Sequence, residues 1–187
     1  MASGYAEYVH EHPPRCIAGL CPRATQRPKP TVLLPPHLPV FRTWWGDDAD
    51  AAFFALGCPC GHRVLSLLAY PGPDGHRGLS EGLTGPLSVR CPACGTSSVL
   101  FDTRQHGYDG EQGCNTYAVG TGEAGRYKCP CCAGEEFFLC AGFSYSEPDE
   151  LAARWHGRGQ DYIAGFHLLG QCHRCSALVE IVSFECA

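Results

Sequence analysis

Charge is scarce in this chain. Asp, Glu, Lys and Arg make up 18% of its 187 residues, and 14 basic residues face 19 acidic ones, for a formal net charge of −5. That balance excludes a global positive field able to collect phosphate backbones, so a nucleic-acid role would have to rest on a local patch. Methionine occurs once, and long apolar runs are missing. The longest, Ala51 to Leu56 and Val64 to Tyr70, are far too short to cross a bilayer. The opening stretch from Met1 to His10 has neither a basic start nor an apolar centre, so no secretory signal is expected and the chain reads as cytoplasmic. Sustained helical periodicity is also lacking, which argues against a long helical bundle and for one domain or two small ones.

What the chain has in abundance is turn formers and thiols: 23 glycines, 15 prolines and 14 cysteines. This composition suits a turn-rich protein of short strands. In a reducing cytosol such thiols stay unpaired by disulfides, and closely spaced ones become metal ligands, with zinc the default ion. Cys91/Cys94, Cys129/Cys132 and Cys172/Cys175 have the two-residue spacing that aims two sulfurs at one tetrahedral ion, while Cys58/Cys60 is one residue shorter. Proline and glycine flank these pairs, as tight turns require, which separates them from cysteines that merely pack as small hydrophobes.

Each pair lies between two β-prone runs, and the order is stated twice. Phe53 to Gly57, Cys58/Cys60, Val64 to Tyr70, Leu87 to Arg90, Cys91/Cys94 and Val99 to Phe101 are followed by Arg126 to Lys128, Cys129/Cys132, Phe137 to Tyr145, Phe166 to Gln171, Cys172/Cys175 and Leu178 to Phe184. A hairpin with a metal-binding knuckle at its tip has this layout. Between residues 53 and 184 the chain therefore resembles the zinc-ribbon class with rubredoxin-type knuckles. The resemblance implies a mainly β, small α+β fold of two tandem zinc ribbons from an internal duplication. One zinc would be held by Cys58, Cys60, Cys91 and Cys94 and a second by Cys129, Cys132, Cys172 and Cys175. The expected organisation is a Pro-rich arm over 1–40, a first ribbon with a polar loop over 41–113 and a second ribbon over 114–187, with the folded region starting at the aromatic cluster from Val40 to Asp47. Of the adjacent Trp44 and Trp45, at most one is expected in the core. Ser146 to Asp149 caps a short helix expected over 147–155, whose Leu151 and Trp155 share a face.

Several residues compete for roles. His62 could replace Cys58 or Cys60, and Cys131 either points away from the second ion or swaps with Cys132. Cys140 and Cys186 read as packed thiols. His10, His12, Cys16 and Cys21 hold four ligand types in the arm, in a spacing that matches no standard site but leaves a third metal open. Arg15, Arg23, Arg27 and Lys29 make that arm locally basic. The stretch from Asp102 to Cys114 is the most polar and has no counterpart in the second half, so Asp102, Arg104, His106, Tyr108, Asp109 and Glu111 form a candidate binding loop. An enzymatic reading would make Cys114 a nucleophile, His106 its base and Asp109 or Glu111 the orienting group. Closed four-thiolate sites leave no position for activated water, which favours structural zinc and binding, most simply of another protein. Nucleic-acid binding and catalysis on the 102–114 loop are the alternatives.

Overall fold

The computed structural model describes residues 15–17, 20, 51–71, 83–102, 122–145 and 163–185. Among these residues the chain is mainly β, with strands β1 (Ala51–Ala55), β2 (Val64–Pro71), β3 (Leu83–Arg90), β4 (Ser97–Phe101), β5 (Gly125–Arg126), β6 (Phe137–Tyr145), β7 (Ile163–Cys172) and β8 (Leu178–Glu185). One 3-10 turn, Arg15–Ile17, precedes them. No helix among the described residues is long and apolar enough to cross a membrane.

The strands form one antiparallel sheet in the order β4-β3-β2-β6-β7-β8, with β1 added on β6 and β5 on β2. Strand β2 is shared: Val64 and Leu65 pair with β6, whereas Ser66 onward pairs with β3. The sheet therefore has two limbs that meet at β2, and they fold onto each other. Phe101 of β4 stacks on Phe166 of β7 with ring centroids 4.2 Å apart, although three strands separate β4 from β7 in the sheet order. Phe166 also lies 5.3 Å from Phe143 of β6, which meets Phe54 of β1 at 6.0 Å. Offset and edge contacts of this kind add to the area term of aromatic burial.

The sequence of each strand fits its place. Leu87 and Val89 of β3 are buried while Arg90 is exposed, the alternation of a strand with one wet face. Phe137 to Phe143 and Gly165 to Gly170 are nearly continuous apolar runs, and apart from half-buried Phe138 both strands are buried along those lengths. A single core cluster takes residues from both halves of the chain, among them Phe54, Leu65, Leu67, Leu100, Phe137, Leu168 and Val182.

Exchanging β1 to β4 for β5 to β8 carries each strand pairing onto another. The β1–β6 pair becomes β5–β2, β2–β3 becomes β6–β7, β3–β4 becomes β7–β8, and β2–β6 becomes itself. Registers correspond as well. Ala55 faces Cys140 and Phe54 faces Ala141, where Arg126 faces Leu68 and Gly125 faces Ala69 in the other half. Just beyond, Leu56 N donates to Leu139 O and Tyr127 N donates to Leu67 O, each at 2.9 Å. A bulge interrupts β3–β4 between Leu87 and Ser88, and the same irregularity interrupts β7–β8 between Leu168 and Leu169.

The sequence reading starts the folded region near Val40 with an arm before it that lies on the domain or stays mobile, and in that arm Ile17 and Leu20 belong to the core. Leu20 N donates to Ile17 O at 2.8 Å, closing a turn that sets two apolar residues three apart on one side. A turn this short has no periodicity to reveal it. The expected helix over 147–155, Trp44 and Trp45, and the rest of the arm lie outside the described residues.

Phe166 ties the two limbs together, so Phe166→Ala should cost about 3–5 kcal/mol. Val99 on β4 is 44% exposed, and Val99→Ala should stay within about 0.5 kcal/mol. Denaturant titration of the two variants checks the contrast.

Candidate metal centres

Four knuckles stand at equivalent positions of the sheet, one after β1, β3, β5 and β7. Each is closed by the same pair of backbone hydrogen bonds. Cys91 N donates to Thr96 O and Gly95 N to Cys91 O, Cys129 N to Gly134 O and Ala133 N to Cys129 O, and Cys172 N to Ala177 O and Ser176 N to Cys172 O, all at 2.8–2.9 Å. In the first knuckle the same bonds run from Cys58 N to His62 O and from Gly61 N to Cys58 O, both 2.8 Å. That turn is one residue shorter, as the Cys58-Pro59-Cys60 spacing requires. The residue after the second cysteine has positive φ in every knuckle: 93° at Gly61, 76° at Gly95, 58° at Ala133 and 60° at Ser176. Glycine meets this demand without strain in the first half, while Ala133 and Ser176 adopt the left-handed region despite a Cβ.

The knuckles meet in pairs across the sheet. Cys58, Cys60, Cys91 and Cys94 form one group, and Cys129, Cys132, Cys172 and Cys175 the other, with all sulfurs of a group within 4.8 Å of one another. The nearest approaches are 3.5 Å for Cys58 to Cys94 and 3.7 Å for Cys60 to Cys91. In the second group they are 3.7 Å for Cys129 to Cys175 and 3.5 Å for Cys132 to Cys172. A disulfide would need about 2.05 Å, whereas sulfurs placed tetrahedrally about 2.3 Å from one ion stand roughly 3.8 Å apart. No disulfide forms among the described cysteines. Both groups are therefore built to the dimensions of a tetrahedral metal site. In each, the first cysteine of a knuckle is buried and the second reaches the surface more fully, so an ion would be held on the core and shielded from below.

The electrostatics point the same way. Hydrogen bonding with the Thr96 hydroxyl, and contact with the Thr96 amide and the Cys58 and Cys91 thiols, bring Cys94 down to about 6. The Cys60 amide favours the Cys58 thiolate, but burial and contact with the Cys60, Cys94 and Cys91 thiols outweigh it and push Cys58 up to about 12. In the second group burial opposes ionisation of Cys129, yet the Cys131 and Cys132 amides and the facing thiols bring it down to about 7. At Cys175 the Ala177 amide favours ionisation, and contact with Cys132, burial and the other thiols push it up to about 12. Left to themselves the four sulfurs ionise unequally, because adjacent thiolates repel one another. A divalent cation among them lets all four lose their protons.

Neither group includes His62 or Cys131. His62 instead supplies the carbonyl that closes the first knuckle. Around the second group, Arg174 Nη1 donates to Cys132 O at 3.3 Å, and Arg126 and Lys128 both pair with Glu135, at 3.0 and 3.5 Å. The sequence reading missed the seat of the first group: Gly57 N donates to Leu20 O at 3.0 Å, and Leu20 lines a small hollow with Cys58, Pro59 and Cys91. It also passed over His167, which burial holds down to about 4 and so neutral, 4.0 Å from Glu180 Oε1. Cys140 is buried, as expected of a packed thiol. Of the candidate loop only Asp102 is described, half-buried at the end of β4. Arg104, His106, Tyr108, Asp109, Glu111 and Cys114 lie outside the described residues, as do His10, His12, Cys21 and Cys186.

No protein-family model, no curated protein and no solved structure matches this chain.

Gly134 is pinned against the second group. A Cβ there would stand 3.1 Å from the Cys172 sulfur and 3.3 Å from that of Cys132. Gly134→Ala should therefore weaken metal retention at the second group and leave the first intact, read as early loss of one ion of two during a chelator titration. Retention of both ions with wild-type affinity would show that the knuckle can shift to admit a methyl group.

Proposed function

We propose that the chain is a zinc-stabilised binding module whose partner is another protein. The observation that carries this reading is the pair of closed sulfur groups, each with four thiols at tetrahedral spacing. An all-thiolate donor set suits zinc among the common cellular ions, and four protein ligands leave no vacancy for a reacting water. Zinc is then structural, and its binding free energy is folding free energy for a fold whose described strands share one modest core.

The matching pairings, registers and bulges of the two halves support an internal duplication of a single ribbon, with the boundary between 41–113 and 114–187. Because β1 pairs with β6 and β5 with β2, the two ribbons are interleaved parts of one unit. Reduced thiols are a requirement of this design and favour the cytoplasm. For the partner, the charge argument weighs against nucleic acid: the net charge is −5, and Arg126 and Lys128 share Glu135 rather than offering a free basic pair. The polar stretch beginning at Asp102, with Arg104, His106, Tyr108, Asp109 and Glu111, is the contact surface we assign to the partner. It follows the first centre's outgoing strand, β4, directly in the chain.

Two experiments test this. Purified protein should carry two zinc ions per chain, and Cys94→Ser or Cys175→Ser should each release one and lower the thermal midpoint, since a hydroxyl is a poor substitute for a thiolate. A wild-type content of one ion, or iron in place of zinc, contradicts the reading. Separately, the double variant His106→Ala/Asp109→Ala should weaken capture of the partner identified by affinity purification, with zinc content and melting temperature unchanged. A loss of stability instead would assign those side chains to the fold.

A further inference from the structure

The two knuckles of the second centre carry five thiols where four suffice. Cys129-Pro130-Cys131-Cys132 places one more cysteine in the third knuckle than the first knuckle, Cys58-Pro59-Cys60, possesses. The two knuckles occupy equivalent places: both follow a short strand of matched register, and both close by a hydrogen bond from the first cysteine's amide, to His62 O in one and Gly134 O in the other. Counted from that first cysteine, Cys131 holds the position of Cys60. Cys60 completes a four-sulfur group from that position, so this sheet frame accepts a ligand pair with a single residue between. Cys131 is exposed and directly precedes Cys132 in the same knuckle. The residue that follows the knuckle, Ala133, already has the left-handed conformation that Gly61 has in the shorter turn.

We propose that Cys131 is a standby ligand of the second centre, able to take the place of Cys132 on the metal, so that this centre exchanges its ion while the first stays closed. This rests on the two groups holding zinc. In the exchange Cys131 gives its proton to solvent and forms a sulfur–metal bond, the Cys132–metal bond breaks, and the freed Cys132 thiolate takes up a proton. Charge and donor number at the ion are conserved throughout. Cys131 is exposed and Cys132 half-buried, which leaves a thiol carrier or acceptor protein access to whichever sulfur is displaced, whereas the first knuckle, Cys58-Pro59-Cys60, carries no third cysteine.

The test is metal content and donor count in the full chain. Cys132→Ser should keep two ions per chain, and after cadmium loading both cadmium resonances should report four sulfurs. Cys60→Ser, which has no spare thiol, should lose one ion or show a cadmium with three. The pair Cys131→Ser/Cys132→Ser should behave like Cys60→Ser, and Cys131→Ser alone should keep both ions while slowing the exchange of one for isotopically labelled zinc. If Cys132→Ser loses an ion or a sulfur donor just as Cys60→Ser does, the standby role is wrong and the zinc reading stands. A wild-type protein that binds no metal overturns both.

Discussion

Four thiols held within 4.8 Å of one another cannot all ionise unless a cation stands between them, and this chain imposes that condition twice. The sulfurs come from knuckles far apart in sequence, Cys58 with Cys94 and Cys129 with Cys175. An ion at each group would therefore cross-link two distant knuckles as well as clip each one locally. A link of this kind restricts the unfolded chain most when the loop it closes is long. Backbone hydrogen bonds shape each knuckle, and an ion shared by two knuckles would tie together the segments that carry them.

In each limb one knuckle caps a paired hairpin, β3–β4 or β7–β8, whereas the other joins strands that do not pair with each other, because β1 pairs with β6 and β5 with β2. Here each limb covers the other. The exchange of short strands, β1 onto β6 and β5 onto β2, extends the hydrogen-bond ladder across the junction. The Phe101 to Phe166 stack closes the interior. Departures from symmetry are informative for the same reason. The first half uses glycine at its left-handed positions and a shorter first knuckle, and it takes Ile17 and Leu20 from far upstream into its core. The second half has Ala133 and Ser176 at those positions, an additional thiol, and Gly134 where a Cβ would crowd the sulfurs.

The eight cysteines that form the two sulfur groups were legible in the sequence because knuckle spacing is a local pattern with a geometric meaning. The β-rich class was legible because each pair sits between short β-prone runs. The interleaving was not, since the pairing of β1 with β6 depends on contacts between segments more than 80 residues apart and leaves no periodic trace. Nor was the place of Ile17 and Leu20, two apolar residues in a polar and proline-rich stretch whose role is decided by what they meet. At Cys131 and Cys132 the sequence offered two ligands for one position. Only the spatial grouping separates the one that joins the sulfurs from the one that stands beside them.

Zinc K-edge absorption on the purified wild-type protein is the most direct measurement of the two closed centres. Two zinc ions per chain, each with four sulfur neighbours at about 2.3 Å and no nitrogen or oxygen, is the result expected from the two sulfur groups. A first shell containing nitrogen or oxygen, or one that averages fewer than four sulfurs per ion, would contradict it.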